Sequence, residues 1–372
     1  MRVRLPRSRL ARLVLVIVPL LLLVALVVWR GPDAGPLERA FRYVRWEWVA
    51  TAVLLNLFSI VVRSEAWRTV IKQAIPPPAP RHRQVFSAFC VGLLGNAVLP
   101  GRAGEVARMA VVARHVPHGR TTWASIFGST FAHRLFDLPP TVGLVIYVLM
   151  ASRIPRWAEP GVEIVLAVGG ALLLLGLVLA WWGRRNRHER LDGVSRVRRL
   201  WHMLLRGLRV FHSPGPAFAA AFFQLLGWVA QVFAVYFAFK AFQIDEPLAA
   251  AALVLLVANV ALAFPLWPGS VGLFQAAVAL SLVPYGVAYR HGFAYGIGLQ
   301  AIEASVGIGL GLIYLAREGI SFAMLKQIPR VSVEDVEEEL EDVEERERKP
   351  VPGREDADRL RARHAQRSSL RH

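Results

Sequence analysis

From Leu13 to Leu315 the chain runs as a series of long apolar stretches, and its arginines gather in the gaps between them. An α-helix needs about 20 apolar residues to cross the hydrocarbon of a bilayer. Repeated stretches of that kind commit the chain to helices, because in lipid every backbone amide and carbonyl must be bonded within its own segment. Composition agrees: 55% of the 372 residues are hydrophobic and mean hydropathy is positive. The formal net charge of +17 has two readings. Nucleic-acid binding would require a basic, aromatic-studded soluble face. Here the basic clusters border apolar spans. The positive-inside rule and anionic lipid headgroups at the cytoplasmic face account for them, and nucleic acid is not expected as a partner.

Cys90 is the single cysteine. It rules out an intramolecular disulfide and, lying in an apolar run, reads as a small buried hydrophobe. The sequence carries no His-Glu-x-x-His pattern, no Walker loop and no dinucleotide fingerprint, so it implies no metal and no cofactor.

Taken in order, Arg2, Arg4, Arg7, Arg9 and Arg12 precede an apolar run from Leu13 to Trp29 that is followed by Arg30-Gly31-Pro32-Asp33 rather than a small-residue cleavage site. This reads as an uncleaved first span with the N-terminus inside. A second span opens at Trp46 and Trp48 and ends near Val62. Trp67 suggests a short helix over 64–75 lying along the interface. Two short helices, Val85–Leu99 and Glu105–Ala113, follow and return to the inside. Thr121 to Ala151 is too long for one straight span and contains Pro139 and Pro140, which predicts a kinked crossing. Gly161–Trp182 is a further span, and Arg184–Arg209 is densely basic. Spans over Pro216–Phe242 and Phe293–Leu315 flank a second short pair, Leu248–Phe264 and Leu273–Val283.

Arginine counting thus predicts an all-α polytopic membrane protein of about six transmembrane helices plus two re-entrant helical hairpins in an inverted repeat. The expected organisation is a basic segment and first span at 1–45, a first half at 46–151 holding the hairpin 84–114, and a span at 152–183. A basic cytoplasmic linker at 184–215 leads to a second half at 216–320 with the hairpin 247–287. A charged, disordered cytoplasmic tail at 321–372 completes the chain. Both termini are expected on the cytoplasmic side of the cytoplasmic membrane, and the oligomeric state is left open.

Both short pairs are broken by one skeleton: Pro100-Gly101-Arg102-Ala103-Gly104 and Pro268-Gly269-Ser270-Val271-Gly272. Broken hydrophobic segments at matching points of two halves point to a transporter site. Pro100, Gly101 and Gly104 in the first, and Pro265, Pro268, Gly269 and Gly272 in the second, are expected to shape the hairpins. The first break also carries charge. Glu105 and Arg108 are three apart on one helical face, and Glu105 can pair with Arg102 or Arg108. The cluster reads either as a buried ion pair that fixes the hairpin or as arginines meeting a lipid phosphate, for which the planar guanidinium fork is suited. Arg134 and Asp137 either pair with each other alone or complete a network with Arg102 and Glu105. His133 reads as a hydrogen-bonded core histidine or a proton relay, and Asn96 as a side chain that satisfies backbone groups freed by the break or binds the substrate with the charged cluster. The second break is uncharged, with Gln275 and Glu303 as its polar neighbours.

These pieces in this order resemble the transmembrane region of the lysylphosphatidylglycerol synthase/flippase family. They are Asn96, Leu99-Pro100-x-Arg102-x-Gly104-Glu105-x-x-Arg108, Arg134-x-x-Asp137, Pro265-x-x-Pro268-Gly269-x-x-Gly272 and Arg317-Glu318-Gly319-Ile320-Ser321. The resemblance covers roughly 40–320 and implies an integral membrane protein that moves a phospholipid between leaflets, with Arg102, Glu105, Arg108, Arg134 and Asp137 near the lipid. His133 stands where the family often has glutamate. After Leu315 a short charged tail follows, so the aminoacyl-transferase domain and its tRNA chemistry are not expected. Three functions therefore compete. The first is a non-enzymatic carrier or binder of a phospholipid or polyprenyl-phosphate lipid, in which Arg102→Ala would abolish transport. The second is an intramembrane lipid-modifying enzyme using Glu105 and Asp137, and the third a scaffold acting through its linker and tail.

Overall fold

The computed structural model describes residues 41–75, 77–99, 103–116, 122–153, 210–211, 213–263 and 270–320. Every regular element among them is helical: α1 (Trp46–Ala74), α2 (His82–Val98), α3 (Gly104–Ala113), α4 (Thr122–Leu135), α5 (Leu138–Ala151), α6 (Pro214–Ala241), α7 (Leu248–Ala263), α8 (Leu273–Leu282), a 3-10 turn (Val283–Tyr285) and α9 (Tyr289–Arg317). The predicted first span Leu13–Trp29, the span Gly161–Trp182, most of the basic linker and the tail lie outside the described residues.

Among the described residues four helices are long and apolar enough to cross a membrane: α1, α4–α5 taken as Ser125–Ala151, α6 and α9. Their order is regular. A long span, a helix of 17 residues, one of 10 and a long span make up the first series; a long span, 16, 10 and a long span make up the second.

The expected end of the second span at Val62 is overturned. No glycine or proline falls between Trp46 and Ile75, so the backbone has no reason to break where charge appears, and α1 runs unbroken for 29 residues. It stops where Pro77 and Pro78 follow. Trp67 is therefore no interfacial anchor: it is fully buried, with Ala66, Val70 and Ile71 beside it on the same stripe. The kink predicted in 121–151 is present. Helix α4 ends at Leu135, Phe136 and Asp137 turn, and α5 restarts at Leu138 with Pro139 and Pro140 in its first turn. Missing amides cost nothing there.

The described residues fall into two compact units. One comprises those within 1–62, 138–172 and 224–309; the other those within 63–137, 173–223 and 310–372. In the first unit α7 packs on α8 and α5 around a core that includes Phe239, Leu253, Phe274 and Tyr295. Gly292 and Gly296 let α9 lie close along α8: a Cβ at either would come within 3.0 Å of the Ala279 or Gln275 Cα. Small residues four apart commonly allow such helix contacts in membranes.

In the second unit α2 and α3 form a tight antiparallel pair. Gly92 faces Arg108 and Gly95 faces Gly104, so residue numbers fall along one helix as they rise along the other. The end of α9 holds this pair. Ser87 Oγ on α2 donates to Glu318 Oε1 at 2.5 Å, Arg114 Nη1 donates to the Glu318 carbonyl at 3.2 Å, and His115 Nε2 lies 3.5 Å from Glu318 Oε2. Replacing Glu318 with alanine strands the Ser87 hydroxyl, a loss of about 1–3 kcal/mol. Amide exchange across 82–98 and 104–113 should quicken roughly tenfold or more in E318A while exchange across α7 and α8 stays as in wild type.

Candidate functional site

The second unit gathers most of the charged residues singled out in the sequence. Helix α3 carries Glu105 and Arg108 one turn apart, and the end of α4 carries Arg134 with Asp137 in the turn that follows. Arg63, in the middle of α1, joins them. Arg63 Nη2 lies 3.2 Å from Asp137 Oδ1, and Arg134 Nη1 lies 3.2 Å from Asp137 Oδ2. Arg134 Nη2 bonds Glu105 Oε1, and Arg108 Nη2 lies 2.8 Å from Glu105 Oε2. The five side chains thus alternate in sign, Arg63–Asp137–Arg134–Glu105–Arg108, with a formal surplus of one positive charge. Of the two readings open for Arg134 and Asp137, the networked one holds, with Arg63 in it; Arg102 lies outside the described residues.

Arg108 ends the series and is the most deeply placed member, 3% exposed. Its guanidinium carbon stands 4.5 Å from the Trp67 ring centre and 5.7 Å from that of Phe89. Gly92 makes room for it, since a Cβ there would meet the Arg108 Cβ at 2.9 Å. Among the described residues, Arg108 Nε and Nη2, Trp67 Nε1 and Glu105 Oε2 are buried without a hydrogen bond. The Arg108–Glu105 contact is therefore an ion pair out of hydrogen-bond alignment.

His133 is buried between Trp67 and Phe89, with ring centres 6.5 and 6.3 Å away. Neither of its ring nitrogens has a hydrogen-bond partner among the described residues, so the expected hydrogen-bonded core histidine is not seen. The backbone groups of the break that Asn96 was expected to meet lie outside the described residues. The Asn96 backbone N and Oδ1 lie against Gly104, and Oδ1 is buried without a donor among the described residues.

The two hairpin glycines that are described do different things. Gly104 supplies space: a Cβ would come within 2.5 Å of Asn96 N and 2.6 Å of Asn96 Oδ1, and closer still to the Gly92 carbonyl. Gly272 supplies conformation. It has φ +89° and nothing within 4 Å of a built Cβ, and its N–H donates to Gln275 Oε1 at 2.6 Å to start α8. Gln275 Nε2 donates in turn to Gln300 Oε1 at 2.5 Å. Pro100, Gly101, Pro265, Pro268 and Gly269 lie outside the described residues.

Arg63 and Trp67 were missed because the second span was ended near Val62, and Phe89 because it lies in an apolar run with nothing local to set it apart. The signal that finds Arg63 and Trp67 is the absence of any helix breaker before Ile75, with Ala66, Trp67, Val70, Ile71 and Ala74 forming a helical stripe. Among the described residues no three His, Cys, Asp or Glu side chains come together as a metal site.

A multi-pass helical membrane protein with a charged series on and around a pair of short helices is the class these features define. Residues 10–311 match the family described as the lysylphosphatidylglycerol synthase TM region, and the chain belongs to that family. It is similar to two proteins of Methanothermobacter thermautotrophicus, each named UPF0104 membrane protein. Both are 25% identical to it; the alignments cover 72% of this chain and 82% of the first relative, and 70% and 81% for the second. No solved structure matches the chain.

Proposed function

We propose that this protein is a non-enzymatic carrier that moves an anionic lipid across the cytoplasmic membrane, with the headgroup phosphate held at Arg108. The carrying observation is that, among the described residues, a buried arginine leaves its Nε unbonded and meets Glu105 through Nη2 only out of hydrogen-bond alignment, beside an unbonded indole N–H. Each buried, unmet donor costs about 1–3 kcal/mol, and burying the charge itself costs several kcal/mol. Two aromatic faces return about 2 kcal/mol apiece. Glu105 is shared with Arg134, so a further anion is what balances the site. Phosphate oxygens fit both the guanidinium fork and the surplus charge of one.

The enzymatic alternative has less support. Glu105 is engaged by Arg108 and Arg134, and Asp137 by Arg63 and Arg134. A general base needs a carboxylate with access to a substrate proton. The lengths of α2, α3, α7 and α8, about 26, 15, 24 and 15 Å at 1.5 Å per residue, fall short of the roughly 30 Å of hydrocarbon. In this reading they are re-entrant hairpins between six full crossings, the halves inverted and both termini cytoplasmic.

The test is reconstitution of the purified chain in liposomes with fluorescent phosphatidylglycerol, following quencher access to the inner leaflet. Mass spectrometry of copurifying lipids, in wild type and Arg102→Ala, distinguishes a phospholipid from a polyprenyl-phosphate. Translocation faster than in protein-free vesicles is expected, with an anionic lipid enriched over the bulk and lost in the variant. Rates equal to empty vesicles together with no enrichment would end the carrier reading.

A further inference from the structure

The other unit carries a charge of a different kind. Glu303 is the central residue of α9, fourteen residues from Tyr289 and fourteen from Arg317. At 1.5 Å per residue that is about 21 Å from either end of a helix long enough to cross the membrane. Among the described residues it takes part in no ion pair and no hydrogen bond, and no cation acts on its carboxyl.

The described helices of the same unit offer no charge near mid-span. Helices α7 and α8 contain no charged residue. On α6 the one charged side chain, Lys240, sits at the helix end and pairs with Asp245 at 2.5 Å; Tyr236 is the other titratable group there. On α9 itself, Tyr289, Arg290 and His291 lie in the first turn, and His291 bonds the Phe242 carbonyl. Tyr295 is a further titratable group of α9, and its hydroxyl is spent on the Val235 carbonyl at 3.1 Å. Gln275 and Gln300 bond one another, and Ser305 bonds the Ile302 carbonyl. Glu303 is half-buried, and an ionised carboxylate among apolar helices is costly unless a partner or a proton meets it. An acid at mid-span with no partner among the described residues marks a functional position, since glutamine would fill the space without that penalty.

We propose that Glu303 is a proton-binding site in the membrane interior, and that its loading and release couple lipid movement to the transmembrane proton gradient. The coupling rests on the carrier reading above. A proton adds to the Glu303 carboxylate from one aqueous phase and leaves to the other, so that one proton and one lipid phosphate charge travel as an electroneutral pair. The same helix runs on to Gly311, which packs on Cys90 and Leu94 of α2, and Glu318 beyond its end bonds Ser87. Residue 303 and the groups that meet the first hairpin thus belong to one helix and the turn at its end.

The experiment uses the full chain in liposomes with fluorescent phosphatidylglycerol, the membrane potential clamped by potassium and valinomycin. In wild type a pH gradient of one sign should raise the translocation rate several-fold over no gradient, and the opposite sign should slow it. In E303Q, scored against its own rate without a gradient, the ratio should fall to one, and E303D should keep part of the response. Infrared difference spectra should show a protonated-carboxyl band at neutral pH in wild type that E303Q lacks. An E303Q response equal to wild type overturns the proposal, as does a Glu303 found ionised at neutral pH. Wild type that moves lipid but ignores the gradient sinks the coupling and spares the carrier reading; wild type that moves no lipid sinks both.

Discussion

Arg108→Lys should slow lipid translocation in proteoliposomes by about ten- to a hundredfold, while the protein remains folded in detergent with an elution profile like that of wild type. Lysine keeps the positive charge and still sits over Trp67 and Phe89, and its stem fits the space left by Gly92. What it loses is the fork: an ammonium is a point charge, whereas the guanidinium presents two parallel donors to a phosphate. One charge-assisted hydrogen bond is worth about 1.5–3 kcal/mol, which converts to that range of rate. Lysine is the informative change because alanine does two things at once. Removing Arg108 leaves Glu105 buried with Arg134 alone, and breaking a buried pair from one side costs about 3–5 kcal/mol. An alanine variant would lose transport through unfolding as well as through lost binding. A lysine variant with wild-type transport would show that the fork is not what holds the headgroup.

How far the sequence alone reaches is best seen at particular residues. Helices without breakers were readable from hydropathy: α6 and α9 fall within a few residues of the apolar runs Pro216–Phe242 and Phe293–Leu315. The two short pairs were readable from the repeated Pro-Gly-x-x-Gly skeleton. The end of α1 was misplaced because arginine counting treats a charge as a boundary, whereas a helix continues through Arg63 if the guanidinium has Asp137 to meet. That partner is 74 residues away in the chain, and no local pattern shows it. The aromatic clamp was hidden for the same reason. Trp67 and Phe89 lie on different helices, and each alone reads as an interfacial or core residue. Spacing could pair Glu105 with Arg108 and Arg134 with Asp137, since three residues is one helical turn. It could not join the two pairs, because that depends on how α3 meets α4. The two terminal glycines of the matched skeletons make the point again. They read identically in sequence, yet one is needed for its size and the other for its φ.

Gly104→Ala should be the most damaging single-methyl change among the described glycines of the two breaks. The added carbon would stand 2.5 Å from a backbone nitrogen of α2 and closer still to the Gly92 carbonyl. These are main-chain atoms inside a helix, so no rotamer change relieves the clash, and α2 and α3 must move apart. Overpacking of this kind typically costs about 1–3 kcal/mol and more where backbone must shift. The separation also withdraws Arg108 from its place against Gly92 and Trp67, so transport should be lost along with stability. Gly272→Ala offers a contrast on the matching residue. Its side chain meets nothing, but φ +89° is a conformation that costs a non-glycine residue on the order of 1–3 kcal/mol. The strain is local to the start of α8 and should leave the charged series intact. Gly143→Ala, in α5 with nothing within 4 Å, should be neutral or gain about 0.5–1 kcal/mol from lowered chain entropy. Thermal unfolding in one detergent should therefore rank G143A at or above wild type, G272A below it and G104A lowest, with only G104A exposing 82–98 and 104–113 to rapid amide exchange. If G104A melts with wild type and keeps those amides protected, α2 and α3 are not packed through Gly104, and the position assigned to Arg108 falls with that packing.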